Sequence, residues 1–413
     1  MPQSIEIEGI TSQNGNIARP PRRGQACACV LKFASSPGAE VLLEESDTVS
    51  MNDRRPDLAD MDLTALESAL AARGHQRFRA RQVFAWIYRH GITDARVMTD
   101  LPPALRSSLA SDFRLFTPRI ASRERSTDGT EKFLLQLADG RHLESVFIPD
   151  TPSMTFCVST QVGCAMACAF CLTGTMGLVR NLSAGEIVGQ VRVLAEALGL
   201  RSRPFNIVLM GMGEPLHNYD ETMTALRIMA DAHGMAVPMR RVTLSTVGLL
   251  PALERLGQEP LMPNLAISLH APTDAVRGQL VPLNQKYGVE DIISACRRFP
   301  LRRRSRITFE YVLLAGVNDT PEDARRLARL LTGVQAKVNV IPLNAAPGIP
   351  FERPADAVID RFARTLAERG QRVSVRKSRG RDIRAACGQL IVDGQKASPG
   401  QQLAAVVFGP PSN

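Results

Sequence analysis

Long apolar runs are missing from this 413-residue chain. No stretch reaches the roughly 18 apolar residues that a membrane-spanning helix needs, so the sequence predicts no membrane partner. The first residues, MPQSIEIEG, contain glutamates before any apolar stretch and do not resemble a secretory signal. From both absences we expect a cytoplasmic protein.

Regularly spaced cysteine pairs are also missing, although the chain holds eight cysteines. In a chain long enough to bury a sizeable core, irregular spacing argues against a disulfide scaffold and favours metal or redox chemistry in a reducing compartment. A structural zinc site usually has four ligands in paired C-x2-C knuckles, and no second knuckle follows at the usual spacing. Structural zinc is therefore disfavoured.

Three of the cysteines, Cys164, Cys168 and Cys171, form a C-x3-C-x2-C motif directly after an apolar run at residues 156–159. Three thiolates can hold three irons of a [4Fe–4S] cube and leave the fourth iron without a protein ligand. Such an iron can chelate the amino and carboxylate groups of S-adenosylmethionine and cleave it reductively to a 5′-deoxyadenosyl radical. The motif predicts this radical chemistry rather than electron transfer.

Positive charge is unevenly distributed along a chain whose formal net charge is +9. Residues 297–306 hold six arginines and no acid, and residues 372–384 hold six cations against Asp382 alone. Such clusters are typical of surfaces that contact a nucleic-acid backbone, although a basic run is equally often a solvated face.

The N-terminal residues differ from the rest of the chain. Residues 1–54 mix Gly, Pro, Ser and Asn without a sustained period, which predicts a disordered extension. Its Cys27 and Cys29 have no neighbouring ligands and are interpreted as incidental thiols. From 55 to 118 apolar residues recur at helical spacing, and glycines end LTALESALAARG and FRARQVFAWIYRHG, so we expect a small helical accessory domain that binds RNA.

Period-two patterning follows at residues 119–150, where Asp-Gly pairs predict the turns of a β-ribbon that leads into the core. Beyond it, strand-like and helix-like segments alternate, which predicts an α/β fold with a parallel sheet. The expected strands are 155–159, 206–211, 241–246, 264–269, 306–313 and 337–342, with helices such as 184–198 and 321–332 between them. About six β/α units are too few for a closed TIM barrel, so we expect an open, partial barrel over 151–390, followed by a tail at 391–413.

Polar or flexible residues follow the ends of these strands, where the active sites of such barrels lie. Glycines let a backbone approach a ligand closely, and a carboxylate can accept from the ammonium group of S-adenosylmethionine. The candidate cofactor-binding residues are Gly213, Glu214, Ser245, Ser268, Leu269, His270 and Asn344.

Several segments together resemble the RlmN/Cfr family of radical S-adenosylmethionine RNA methyltransferases. They are FCVSTQVGCAMACAFC, GMGEPL, VTLSTVG, AISLHAP, VIPLN and VRKSRGRDIRAACGQL, in one consistent order between about residue 57 and about residue 390. The resemblance implies one [4Fe–4S] cluster, two S-adenosylmethionine molecules per turnover, and an adenine of 23S rRNA at the peptidyl-transferase centre as substrate. The adenine 3′ to the anticodon of certain tRNAs is a second candidate target.

The resemblance also implies roles for residues that spacing alone does not explain. Cys387 matches the cysteine that carries the methyl group as S-methylcysteine. Cys157 matches the cysteine that releases the protein–RNA adduct by a transient disulfide with Cys387. Glu144 matches a proposed proton acceptor. Cys296 has no counterpart in these motifs and is predicted to be a packing residue.

Three functional alternatives remain open at this point. Carbon 2 of the adenine is favoured because the overall form is closer to the RlmN group, whereas a Cfr-type enzyme would methylate carbon 8. A non-catalytic iron–sulfur RNA-binding sensor would need neither a methyl carrier nor a resolving thiol, so Cys157 and Cys387 disfavour it. As partners we expect an electron donor such as flavodoxin or ferredoxin, and the chain is expected to be a monomer.

Overall fold

The computed structural model describes residues 53–149 and 153–397. Almost all of the expected N-terminal extension, with Cys27 and Cys29, lies outside these residues, as does the part of the expected tail from residue 398 onward. No helix in the two described ranges is long and apolar enough to cross a membrane.

Strands in the described ranges form one ten-stranded sheet and one two-stranded sheet. The larger sheet has the order β1-β2-β3-β4-β7-β8-β9-β10-β11-β12, and the smaller sheet pairs β5 with β6. The strands are β1 (Arg119–Arg125), β2 (Glu131–Gln136), β3 (His142–Ile148), β4 (Thr155–Cys157), β5 (Gln161–Gly163), β6 (Leu178–Asn181), β7 (Asn206–Leu209), β8 (Val242–Thr246), β9 (Asn264–Ser268), β10 (Ile307–Leu313), β11 (Ala336–Pro342) and β12 (Val373–Val375).

The parallel part of the large sheet runs from β4 through β7 to β12. Six of its seven strands are those expected from the alternating pattern, and the sheet is open because β1 and β12 are its edges. The expected open α/β fold is therefore confirmed. The pattern missed β12, a three-residue edge strand with two exposed residues, because it has no buried apolar run.

The expected ribbon is a continuation of this sheet. β1, β2 and β3 pair antiparallel, and β3 in turn pairs antiparallel with β4. The two Asp-Gly turns hold Gly129 and Gly140 at φ values of +83° and +77°, which residues with a Cβ rarely adopt. The ribbon therefore places its side chains next to the first strand of the catalytic core.

Helices cover the parallel strands and form the N-terminal region. They are α1 (Leu63–Ala71), α2 (Arg79–Tyr88), α3 (Pro103–Asp112), α4 (Leu172–Thr175), α5 (Ala184–Ala197), α6 (Tyr219–Ala230), α7 (Leu250–Leu256), α8 (Asp274–Leu280), α9 (Val289–Arg298), α10 (Pro321–Leu330) and α11 (Asp356–Glu368). Cys296 is buried in α9, as its predicted packing role requires.

Helix α5 fixes the backbone that leads into the cysteine motif. It begins with a capping box in which Ser183 and Glu186 each bond the other's backbone N–H. Its Gln190 side chain accepts from Ser159 N and donates to Ser159 O, both at 2.8 Å. Because both backbone groups of Ser159 are bound, the chain leaves β4 in one direction.

The 3-10 turn at residues 58–60, before α1, packs on α5. Asp60 accepts a hydrogen bond from Gly185 N at 2.8 Å, and a Cβ at Gly185 would lie 2.7 Å from the Ala59 side chain. The Tyr88 hydroxyl donates to Ala59 O at 3.1 Å. Glycine at 185 thus allows the turn at residues 58–60 to contact the core directly, and Tyr88 links α2 to that turn.

Candidate active site

One cavity at the carboxyl edge of the parallel strands contains most of the candidate residues. It is lined by Cys164, Cys168, Cys171, Gly213, Glu214, Ser245, Ser268, His270, Asn344 and Cys387, which come from every part of the predicted motif set. Leu269, Cys157 and Glu144 are not among the lining residues. The fold therefore brings together ten residues that are spread over more than 200 positions of sequence.

The three motif cysteines lie on the loop between β5 and α4, and this loop is fixed by its backbone. Cys164 N donates to Gly177 O and Ala169 N donates to Leu280 O, each at 2.9 Å. Burial raises the pKa of all three thiols, so they stay protonated unless a cation replaces the proton. No three His, Cys, Asp or Glu side chains in the described ranges converge closely enough for a single metal ion. A cube that takes one sulfur per iron fits these cysteines.

Glu214 lies between the β7 and β8 ends and is 3% exposed. Its Oε1 accepts from Leu216 N at 3.0 Å and its Oε2 accepts from Val247 N at 2.9 Å. Burial raises its pKa to about 7. Gly213 precedes it at φ +103°, and a Cβ there would lie 2.6 Å from the Gln161 Cβ. The turn therefore requires glycine, and it holds the Glu214 carboxyl group in the cavity wall.

His270 and two serines form the neighbouring wall. His270 Nδ1 accepts from Val312 N at 3.1 Å, which assigns the ring proton to Nε2. Burial lowers the pKa of His270 to about 3, so the ring is neutral and Nε2–H can donate. The Ser245 and Ser268 hydroxyls lie 3.3 Å apart. The wall offers donors and acceptors to a ribose or carboxylate.

Arg277 supports this wall. The sequence motifs did not point to it, because it lies on α8 and outside all of them. Its guanidinium donates to Val247 O at 2.6 Å and to Leu269 O at 3.0 Å. Arg277 is fully buried, and burial lowers its pKa to about 10. It therefore fastens the β8 end to the β9 end. Leu269 contributes its backbone to this contact and not its side chain to the cavity.

Cys387 contacts Arg376, which lies 11 positions earlier in the chain. Arg376 Nη1 lies 2.9 Å from Cys387 Sγ, and the charge of Cys387 raises the pKa of Arg376. Arg384, the flanking cation in the sequence, is exposed. Asn344 Nδ2 donates to Cys387 O at 3.2 Å. Arg376 belongs to the basic cluster at 372–384, for which the sequence left a nucleic-acid contact and a solvated face open, and it lines the cavity.

Cys157 ends β4 and is 6% exposed. Burial raises its pKa to about 12, the nearby Cys387 thiol adds to this increase, and the Arg376 charge opposes it. Both thiols are free. Cys157 and Cys387 are therefore close enough to interact electrostatically with each other and with the Arg376 guanidinium.

Glu144 lies on β3 and is buried, but its carboxylate is already bound. Its Oε1 lies 3.0 Å from Lys132 Nζ, and its Oε2 accepts from Ile391 N at 2.9 Å. Burial raises its pKa, while Lys132 opposes the increase. The carboxylate thus holds the backbone of the segment that follows Cys387.

That C-terminal segment, residues 386–397, also binds α4 and Met176, directly after the cysteine loop. Gly388 O accepts from Leu172 N at 2.8 Å, and Leu390 O accepts from the Thr173 hydroxyl at 2.6 Å. Ala397 N donates to Met176 O at 2.8 Å. The beginning of the expected tail is therefore packed on the core, and these bonds hold Cys387 beside the cysteine loop.

The basic cluster at 297–306 lies at the opposite edge of the sheet, because it precedes the first residue of β10. Arg297 pairs with Glu290 at 2.6 Å and Arg298 with Glu254 at 3.7 Å. Arg302 also donates to Met262 O, so three of its arginines are engaged within the protein.

Comparison with known proteins agrees with this geometry. The Radical SAM superfamily model matches residues 158–331, and the ribosomal RNA large subunit methyltransferase N-terminal domain model matches residues 56–115. Members of the superfamily use a [4Fe–4S] cluster and S-adenosylmethionine, which the cysteine loop and its cavity fit.

Relatives match over most of their length. The dual-specificity RNA methyltransferase RlmN of Anaeromyxobacter dehalogenans is 48% identical, over 88% of this chain and 99% of that protein. RlmN of Pelobacter propionicus is also 48% identical, over 81% and 96%. The crystal structure of a radical SAM methyltransferase from Sphaerobacter thermophilus superposes with a TM-score of 0.77 at 48% identity, over 81% of this chain and 99% of that one. The chain therefore belongs to the RlmN family of radical S-adenosylmethionine methyltransferases.

Proposed function

We propose that this chain methylates carbon 2 of an adenine in RNA, with Cys387 as the methyl carrier. The observation that carries the proposal is the position of Cys387 in the cavity of the three motif cysteines, with Arg376 at 2.9 Å from its sulfur. The relatives' name, dual-specificity RNA methyltransferase, supports RNA as substrate. The targets are an adenine of 23S rRNA at the peptidyl-transferase centre and the adenine 3′ to the anticodon in certain tRNAs.

Cys387 acts first as a nucleophile. Its thiolate attacks the sulfonium methyl of one S-adenosylmethionine, an S–C bond forms on Cys387, and the thioether departs. The guanidinium of Arg376 contacts the sulfur and orients it for this attack. Asn344 holds the Cys387 carbonyl, so the sulfur faces the cavity from a fixed backbone.

Carbon 2 of adenine is an electron-poor aromatic C–H and cannot attack a sulfonium methyl. The bound cluster, with a second S-adenosylmethionine, supplies the hydrogen-abstracting chemistry that makes the methyl carbon on Cys387 reactive toward it. Glu214 receives the ammonium group of this cofactor, and Ser245, Ser268 and His270 receive its polar groups. The buried Oδ1 of Asn344 has no partner among the described residues and can accept from it.

Cys157 acts last. Its sulfur attacks the Cys387 sulfur of the protein–RNA adduct, the S–S bond forms and the S–C bond breaks. The electron pair stays on the departing carbon, which takes up a proton and becomes the methyl group. Glu144 stays a predicted proton acceptor for the adenine. Its engaged carboxylate gives it a second candidate role, that of holding the Cys387 segment.

The Cys157→Ala variant tests this order of events. It should still methylate Cys387 and attack RNA, and then accumulate a nuclease-sensitive adduct on the Cys387 peptide, seen on a denaturing gel and by mass spectrometry. Cys296→Ala is the matched control, because Cys296 is equally buried but remote from the motifs, and it should release RNA normally. Clean release of methylated RNA by Cys157→Ala would contradict the assignment.

Two rivals give different products. A Cfr-type enzyme would yield 8-methyladenine, which nucleoside mass spectrometry separates from 2-methyladenine. A non-catalytic sensor would yield no methylated Cys387. We further propose that the chain works as a cytoplasmic monomer that receives electrons from a flavodoxin or ferredoxin.

A further inference from the structure

A second, larger cavity lies at the amino edge of the parallel strands, away from the cysteine motif. Its volume is about 990 Å³, and its walls come from the end of α2, the start of β1, helix α5 and the loops that precede β7 and β8. Nothing in the proposed methyl transfer uses it. A volume near the upper end of ordinary ligand pockets makes it a candidate binding site.

Arginine dominates the charge of this cavity. Its lining contains Arg89, Arg119, Arg192, Arg201, Arg203 and Arg241, and Glu196 is its one acid. Glu196 pairs with Arg201. Arg89 and Arg119 donate to neutral oxygens, Ala232 O and Gln136 Oε1, so their charges are not compensated by these bonds. The cavity therefore carries a concentrated positive charge that favours an anion.

Arg192 is the second, independent observation. Its Nε and Nη1 atoms are buried and have no hydrogen-bond acceptor among the described residues. Its nearest ring is that of Tyr88, with Cζ 5.8 Å from the centroid. The buried hydroxyl of Thr117, also in the wall, likewise has no partner there. Arg192 as a whole is only half-buried and lines the cavity, so a bound anion would supply an acceptor to its guanidinium.

Much of the rest of the wall is apolar. Ile120, Val193 and Met235 line the cavity and keep part of their surface exposed, over a layer of buried residues that includes Ile87 and Phe205. A bare phosphate would leave the apolar part of the wall exposed to water, and a purely apolar ligand would leave the arginines without partners. A nucleotide has both a phosphate for the cations and a flat base for the apolar wall.

We propose that this amino-edge cavity binds a nucleotide, with its phosphate toward Arg192 and its base against the apolar wall. The nucleotide is either part of an RNA chain or a free molecule, and the chemistry of recognition is the same for both. Only the RNA source depends on the proposed methylation.

Calorimetric titration of the reconstituted enzyme with the 5′-phosphorylated dinucleotide pApA and with AMP tests the proposal. Both should bind, and Arg192→Gln should weaken binding at least tenfold. Arg364→Gln removes an exposed helical arginine of α11 and should stay within twofold of the parent. Cys387→Ala should leave this binding unchanged, which separates the cavity from the adenine site. If Arg192→Gln does not fold, the double variant Arg203→Gln, Arg241→Gln at the same cavity replaces it with the same expectation.

Steady-state methylation of an rRNA fragment then identifies the source. A higher KM in Arg192→Gln at unchanged kcat assigns the cavity to a segment of the RNA. An unchanged KM, with AMP binding that still depends on Arg192, assigns it to a free nucleotide. Absence of pApA and AMP binding at millimolar concentration, or equal binding by Arg192→Gln and the parent, overturns the proposal. Because the titration does not need turnover, a failure of the methylation proposal would not obscure it.

Discussion

Replacing Glu144 separates its two candidate roles, because an anchor and a proton acceptor respond differently to glutamine. Glu144→Gln keeps an oxygen that can accept from Ile391 N but cannot take up a proton. Glu144→Ala removes both contacts. If the carboxylate holds the Cys387 segment, the alanine variant should loosen residues 386–397, whereas the glutamine variant should largely keep them in place.

The magnitude follows from the two contacts. A hydrogen bond from a backbone N–H to a buried carboxylate contributes about 1.5–3 kcal/mol. Lys132 keeps a second partner at 3.2 Å, the half-exposed Glu124, so it does not become an isolated buried charge. We therefore expect Glu144→Ala to weaken the docking free energy of residues 386–397 by about 3 kcal/mol. This corresponds to a roughly 100-fold larger population of the undocked segment.

Amide hydrogen exchange of the peptide that contains Cys387 measures this population. From the free energies above, we expect exchange to be roughly 100-fold faster in Glu144→Ala than in the parent protein. In Glu144→Gln the increase in exchange rate should be less than tenfold. Glu124→Ala is the control, since it removes only the outer partner of Lys132. Unchanged exchange in Glu144→Ala would refute the anchoring role. Loss of RNA methylation in Glu144→Gln, with Cys387 still methylated and exchange unchanged, would assign it as the proton acceptor.

Three further predictions concern the cluster, the carrier and the sheet. Cys171→Ala should lose the iron and the visible absorption of the reconstituted protein, and retention of both would contradict its role as a ligand. Arg376→Met should keep the iron but slow methylation of Cys387 at least tenfold at neutral pH, measured by mass spectrometry, and an unchanged rate would remove Arg376 from the first step. The third concerns Asp139, in the turn between β2 and β3. Burial raises the pKa of Asp139, but hydrogen bonds, led by the one from Arg180, lower it to about 2. Its stabilisation is therefore present above the ordinary pKa of 3.8 and is lost as the pH falls toward 2, so Asp139→Asn should lower the Tm at pH 7 and have less effect at pH 3. An equal decrease at both pH values would contradict this.

Local sequence determined much of the fold and of the cofactor chemistry. The spacing of Cys164, Cys168 and Cys171 within eight residues already indicated the cluster, because a loop of that length can present three sulfurs whatever surrounds it. Alternating strand and helix patterns predicted the six central strands, since each pattern depends on residues close in sequence. The family resemblance then identified Cys157, Cys387 and their expected roles.

Only the tertiary structure decided which side chains meet. Ile391 N reaches Glu144 across 247 positions, and Arg277 on α8 fastens the ends of β8 and β9. Arg376 and Arg384 look equivalent in the sequence, yet one contacts the Cys387 sulfur and the other is exposed. Such choices depend on strand register and on how the C-terminal segment docks, and no local pattern encodes either, because the partners are contributed by distant elements.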